Sequence, residues 1–67
     1  MIVLVNNKKL ELNQADKIFE VFPLINIEAS KGIAVAVNNA VVPKSDWGNF
    51  TLKENDHVTI IRATQGG

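Results

Sequence analysis

The order of its short elements predicts an α+β fold, with a mixed sheet of four to five strands packed over one helix. Three observations carry this. Branched apolar runs stand near both ends, at Met1–Val5 and His57–Ala63. Two Asn-Asn pairs, Asn6-Asn7 and Asn38-Asn39, each separate segments that read as strands. Helical spacing occurs in a single stretch, beginning at Ala15.

Met1–Val5 reads as a buried strand. Asn tolerates positive φ, so Asn6-Asn7 suits a tight hairpin turn. Lys8–Leu12 alternates, with Leu10 and Leu12 on one face and Lys9 and Glu11 on the other, as a half-buried antiparallel strand does. Asn13 or Gln14 is expected to open the helix, with Asp16 three residues after Asn13 in a capping arrangement. The stripe Ile18, Phe19, Val21, Phe22 and Ile25 then faces the core, leaving Asp16, Lys17 and Glu20 wet. Pro23 disfavours helical geometry at Phe22, so the helix should end or kink there. Leu24–Ile27 is then irregular, and Asn26–Gly32 is a polar connection.

Ile33–Val37 alternates large and small residues. Ile33, Val35 and Val37 should enter the core, and Ala34 and Ala36 should face away. After Asn38-Asn39, Ala40–Val42 is a short return strand stopped by Pro43. Lys44–Gly48 forms one helical turn carrying Trp47. Phe50–Leu52 is a short edge segment, Glu54-Asn55-Asp56 a turn, and His57–Ala63 the last strand.

A chain of 67 residues suffices for one small domain with a thin core. Residues 1–64 are expected to form it, with 65–67 a flexible tail. Seven basic and seven acidic residues cancel, which removes the electrostatic argument for nucleic acid or an anionic membrane. There is no cysteine, so a disulfide framework, a thiolate metal site and a Cys nucleophile are all excluded. The opening apolar run is too short for a signal or spanning segment, so a cytoplasmic location is the expectation.

The last strand leads into Thr64-Gln65-Gly66-Gly67. Glycine elsewhere usually serves a turn or a cap, but a terminal pair has no turn to make. The expectation is that the Gly67 carboxylate is the working group and that Gly66 keeps its approach unobstructed.

Several features together resemble the thiamine-pathway sulfur carriers (the ThiS family) among the ubiquitin-like β-grasp proteins. They are the Met1–Val5 strand with Asn6, the segment Ala36–Pro43 followed by Trp47, the turn with Asp56 before the last strand, and the terminal Gly66-Gly67. The resemblance spans the whole chain. The Val42-Pro43 pair with Trp47 four residues on is more discriminating than the double glycine. The resemblance implies a β-grasp fold and a protein co-substrate rather than an enzyme. It implies that an ATP-dependent adenylating enzyme activates the Gly67 carboxylate. A sulfur donor such as a cysteine desulfurase then converts it to a thiocarboxylate, which supplies thiazole synthase. The chain itself would bind no cofactor stably.

Such a carrier needs a docking surface. If Val58 and Ile60 point inward, Thr59, Ile61 and Ala63 point outward. In a β-grasp sheet Ala34 and Ala36 then share that outer face. With Thr64 and Gln65, these residues form the expected partner surface leading to Gly66 and Gly67. Against this, Ala34 and Ala36 are also small enough for another part of the protein to cover them.

Other residues attract attention for blander reasons. His57 has no Ser or Cys nucleophile near it in sequence and reads as a surface strand residue. Asp46, Glu54 and Asp56 read as turn and cap residues. Lys8-Lys9 is too small a pair for a phosphate site. Trp47, Phe19, Phe22 and Phe50 read as core. Alternatives remain open at this point: the small subunit of molybdopterin synthase, a ubiquitin-like modifier that forms isopeptide bonds, or a plain β-grasp interaction module with an incidental tail.

Overall fold

The computed structural model describes residues 1–13, 16–27 and 32–62. Its elements run β1 (Ile2–Val5), β2 (Lys8–Glu11), α1 (Ile18–Leu24), β3 (Ile33–Val37), β4 (Ala40–Val42), a 3₁₀ turn (Lys44–Asp46) and β5 (His57–Arg62). The five strands form one sheet in the order β2-β1-β5-β3-β4. Its centre is a parallel pair, β1 with β5, and every other pairing is antiparallel. This is the β-grasp arrangement expected from the sequence, with five strands where four to five were expected.

Both Asn-Asn pairs make two-residue hairpin turns. Asn6 and Asn7 have φ of 50° and 69°, and Asn38 and Asn39 have 51° and 71°. Positive φ at both central residues gives a type I′ turn, whose twist matches that of the flanking strands. Register follows from the turns: Val5 faces Lys8 across the first, and Val37 faces Ala40 across the second.

One face of the sheet packs on α1. Val3, Val5, Val35, Val37, Val42, Val58 and Ile60 meet Ile18, Val21 and Phe22 there, and Leu12, Trp47 and Leu52 complete the buried cluster. Trp47 lies over Phe22, with ring centroids 5.1 Å apart, and its Nε1–H donates to the Val42 carbonyl at 2.9 Å. The indole thus buries its area and still satisfies its one donor. Ile33, expected in the core, is only half-buried at the start of β3, and Phe50 is also half-buried. Ile2 and Leu4 are half-buried on the outer face, so β1 alternates where a continuously buried strand was expected.

The helix departs from expectation at both ends. It begins at Ile18, because Asp16 and Lys17 are held in extended pairing with the segment before β5. Lys17 bridges Thr51, and the Leu52 N–H donates to the Asp16 carbonyl at 2.7 Å. Asn13 therefore caps no helix. Instead the Glu20 carboxylate turns back to accept the backbone N–H groups of Asp16 and Lys17, each at 3.1 Å. The same pairing is what becomes of the expected edge segment Phe50–Leu52, which joins Lys17 and not the sheet.

At the other end the helix passes through Pro23 to Leu24. It stops at Asn26, whose φ is 60°. The Ile27 N–H donates to the Phe22 carbonyl at 3.0 Å and the Asn26 N–H to the Pro23 carbonyl at 3.4 Å, the two bonds of a Schellman motif. Asparagine takes the left-handed position that glycine more often fills. Ile27, assigned to a polar connection, packs half-buried against the core. Phe19 is 54% exposed, contrary to its core assignment. Ile18, Val21 and Phe22 fill the stripe facing the sheet, and Phe19 sits to one side, its ring edge-on to Phe22 at 6.2 Å.

Candidate functional site

β5 is the middle strand of the five and is paired on both sides. Its side chains alternate, as a strand between a core and a wet face requires. Val58 and Ile60 are buried, whereas Thr59 and Ile61 are exposed. The antiparallel register with β3 sets Ala36 opposite Thr59 and Ala34 opposite Ile61. All four lie on the face of the sheet away from α1. Ala34 is exposed and Ala36 half-buried, so no described residue covers Ala34. Methyl neighbours leave Ile61 standing clear, at 59% exposure.

The register with β4 extends the face. Val41 stands opposite Ala36 and is 77% exposed, the highest exposure among the large hydrophobic residues described. Val41 was not among the residues expected on the partner surface. Its signal was the alternation within Ala40–Val42: once Val42 turns in beneath Trp47, Val41 must turn out. The result is an uncharged surface of Val41, Ala36, Ala34, Thr59 and Ile61. Exposed apolar groups gathered this way, on a rigid sheet, mark a surface able to bury area against a partner.

Ala63, Thr64, Gln65, Gly66 and Gly67, which complete the expected partner surface and reactive end, lie outside the described residues. Their position in the chain follows covalently from Arg62, the last residue of β5.

The other polar residues are occupied with structure. The Asp56 carboxylate accepts the Lys53 N–H at 2.8 Å and the Asn38 side-chain amide at 3.0 Å, which closes the turn before β5. Glu54 accepts the Ile2 N–H at 3.1 Å. His57 is exposed at the start of β5, where its backbone N–H donates to Asn38 Oδ1 at 3.0 Å. Trp47 is buried and offers no face to a ligand. Among the described residues no three His, Asp or Glu side chains cluster as metal ligands would, and no helix is long and apolar enough to cross a membrane.

The comparisons bear on the family and the fold. The model of the ThiS family matches residues 2–67. A crystal structure of a thiamine biosynthesis protein (ThiS) from Geobacter metallireducens is similar with a TM-score of 0.78 and 22% identity, over 100% of both chains. A solution structure of a thiamine biosynthesis protein from the same organism gives 0.75 and 22%, over 100% of this chain and 88% of the other. At that identity the structures speak for the fold. No curated protein sequence in the comparison matches the chain.

Proposed function

The chain belongs to the ThiS family, and from that premise we propose that it is a sulfur carrier of thiamine biosynthesis whose carrying group is the Gly67 main-chain carboxylate. A carboxylate is a poor acyl electrophile, being already negative and resonance-stabilised. Adenylation by an ATP-dependent activating enzyme makes one of its oxygens part of a leaving group, with release of pyrophosphate. The persulfide of a sulfur donor such as a cysteine desulfurase then attacks the acyl carbon and AMP departs, and a second thiol cleaves the resulting acyl disulfide, leaving as a disulfide with the donor. The acyl carbon ends bonded to sulfur as a thiocarboxylate, which thiazole synthase consumes. The chain is a co-substrate in this cycle, and ATP is used by its partner.

The observation that supports this reading best is the continuity of one strand. β5 carries Thr59 and Ile61 on the uncharged outer face and continues through Arg62 into the residues that end in Gly66-Gly67. A body docked through that face delivers the end of the same strand to the same partner. Gln65–Gly67 can span roughly 10 Å when extended. Glycine without a Cβ can follow a narrow passage to the ATP α-phosphate.

The test is the intact mass of the protein purified from producing cells, followed by mapping of the C-terminal peptide. A gain equal to one oxygen replaced by sulfur, located at Gly67, is expected. A chain that shows no such exchange after incubation with activating enzyme, ATP and a sulfur source is not a sulfur carrier.

A further inference from the structure

Two asparagine side chains hold β5, one at each end. Each is the first residue of an Asn-Asn hairpin turn. At the start of β5, the His57 N–H donates to Asn38 Oδ1 at 3.0 Å, and the Asn38 N–H donates to the His57 carbonyl at 2.8 Å. Near its end, the Ile60 N–H donates to Asn6 Oδ1 at 2.9 Å. Asn6 Nδ2 donates in turn to the Ile60 carbonyl at 3.3 Å, and the Asn6 N–H donates to the Val58 carbonyl at 2.9 Å.

The Asn6 contact has a clear physical reason. The parallel register of β1 on β5 covers only Leu4 with His57 and Val5 with Val58, because β1 then turns away toward β2. Ile60 still presents an N–H and a carbonyl to that side. A primary amide offers the same donor and acceptor as a peptide group. Asn6 thus takes the place of the missing strand residue and carries the hold on β5 two residues further. The two asparagines differ in what lies beyond them. Asn38 grips the beginning of β5. Asn6 grips β5 on its other side, two residues before Arg62, where β3 alone pairs with the rest of the strand.

We propose that Asn6 is a positioning residue for the modification of Gly67. It fixes the β1-facing side of Ile60, which β3 cannot reach, and so adds a second hold on the strand close to where it leaves the sheet. The inference rests on the sulfur-carrier reading above. Acyl transfer within a complex depends on how narrowly the reacting group is confined, and small misplacements far from the chemistry cost rate. Docking depends on the outer face, which Asn6 does not form. Loss of the clamp should therefore slow the adenylation step and spare the affinity.

The matched pair Asn6→Gly and Asn38→Gly isolates this role. Glycine keeps the positive φ of each turn and removes only the side-chain amide. Two measurements are made on each: amide hydrogen exchange, and steady-state pyrophosphate release with the thiamine-pathway adenylating enzyme, ATP and excess sulfide to displace AMP, with the carrier concentration varied. For Asn6→Gly, exchange at Ile60 should accelerate by about tenfold. Its kcat should fall by about three- to tenfold, with KM for the carrier unchanged. For Asn38→Gly, exchange should accelerate at His57 and kcat should stay at the wild-type value. Asn6→Asp keeps the acceptor for the Ile60 N–H and tolerates the turn, so it should recover part of the rate. Equal kcat values for Asn6→Gly and wild type, or an equal fall in both glycine variants, overturn the positioning role. If Ile60 exchange is unchanged, the clamp itself is refuted and the sulfur-carrier reading stands. A wild-type chain that elicits no pyrophosphate release refutes the carrier reading, and the role falls with it.

Discussion

Replacing Ile61 by aspartate tests whether the outer face of β5 is where a partner binds. Ile61 is 59% exposed, so about two-fifths of its potential burial is already realised in the folded chain. Complete burial of such a side chain contributes about 1.5–3 kcal/mol, so the part lost from folding is about 1 kcal/mol. Aspartate in a strand adds up to about 1 kcal/mol more. The remaining three-fifths is available to a partner, about 1–2 kcal/mol of apolar burial, and a carboxylate placed there must also be desolvated. Together these should raise the dissociation constant for the adenylating enzyme by about tenfold to a hundredfold. Calorimetric titration measures the affinity, and circular dichroism melts measure the fold. Ile60→Ala supplies the contrast from the adjacent position. Ile60 is 6% exposed and faces the core, so this variant should lose about 2–5 kcal/mol of stability. A folded Ile61→Asp chain that binds with wild-type affinity refutes the docking face. A loss of stability as large as that of Ile60→Ala refutes the assignment of Ile61 to the outer side.

Further outcomes follow from single features. Trp47→Phe removes the donor to the Val42 carbonyl and part of the ring packed on Phe22, and should cost about 2–4 kcal/mol in denaturant melts. Gly48 lacks a positive φ, and apart from its chain neighbours nothing lies within 4 Å of where a Cβ would stand, so Gly48→Ala should stabilise by about 0.4–1 kcal/mol through the unfolded chain. Asn26→Ala should cost about 1 kcal/mol because alanine resists the left-handed helix cap, whereas Asn26→Gly should cost nothing measurable. Gly67→Val should melt as the wild type does and yet be adenylated slowly. An unchanged adenylation rate would show that the passage for the chain end tolerates a branched side chain.

Much of the fold was legible because its signals are local. Each Asn-Asn pair carries its own turn preference, and each alternating segment declares its two faces. The outward set Ala34, Ala36, Thr59 and Ile61 followed from strand alternation plus one topological expectation, that β3 neighbours β5, and the register bears out that adjacency. What stayed hidden depended on partners distant in sequence. Asp16 and Lys17 lie on the wet side of a helical pattern, yet Thr51 and Leu52 draw them into extended pairing and delay the helix. Phe19 fits the apolar stripe by spacing, but in the fold only Ile18, Val21 and Phe22 of that stripe are buried, and Phe19 lies at the side of the helix. Pro23 reads as the stop signal, and the stop is Asn26, whose role shows only in its backbone angle and the two bonds it closes.

By itself, then, the sequence determined the kind of protein this is. Alternation and turn residues are properties of short stretches, and they sufficed for an α+β chain of the β-grasp kind. The tertiary structure decided which side chains share a surface. Only the pairing of β5 with β3, and of β3 with β4, gathers Ile61, Thr59, Ala34, Ala36 and Val41 onto one surface. Only the early departure of β1 leaves Ile60 for the Asn6 amide to hold. The physical reason is the same in both cases: a side chain's face is set by its neighbours along the chain, but what it meets is set by strands that are far away in sequence.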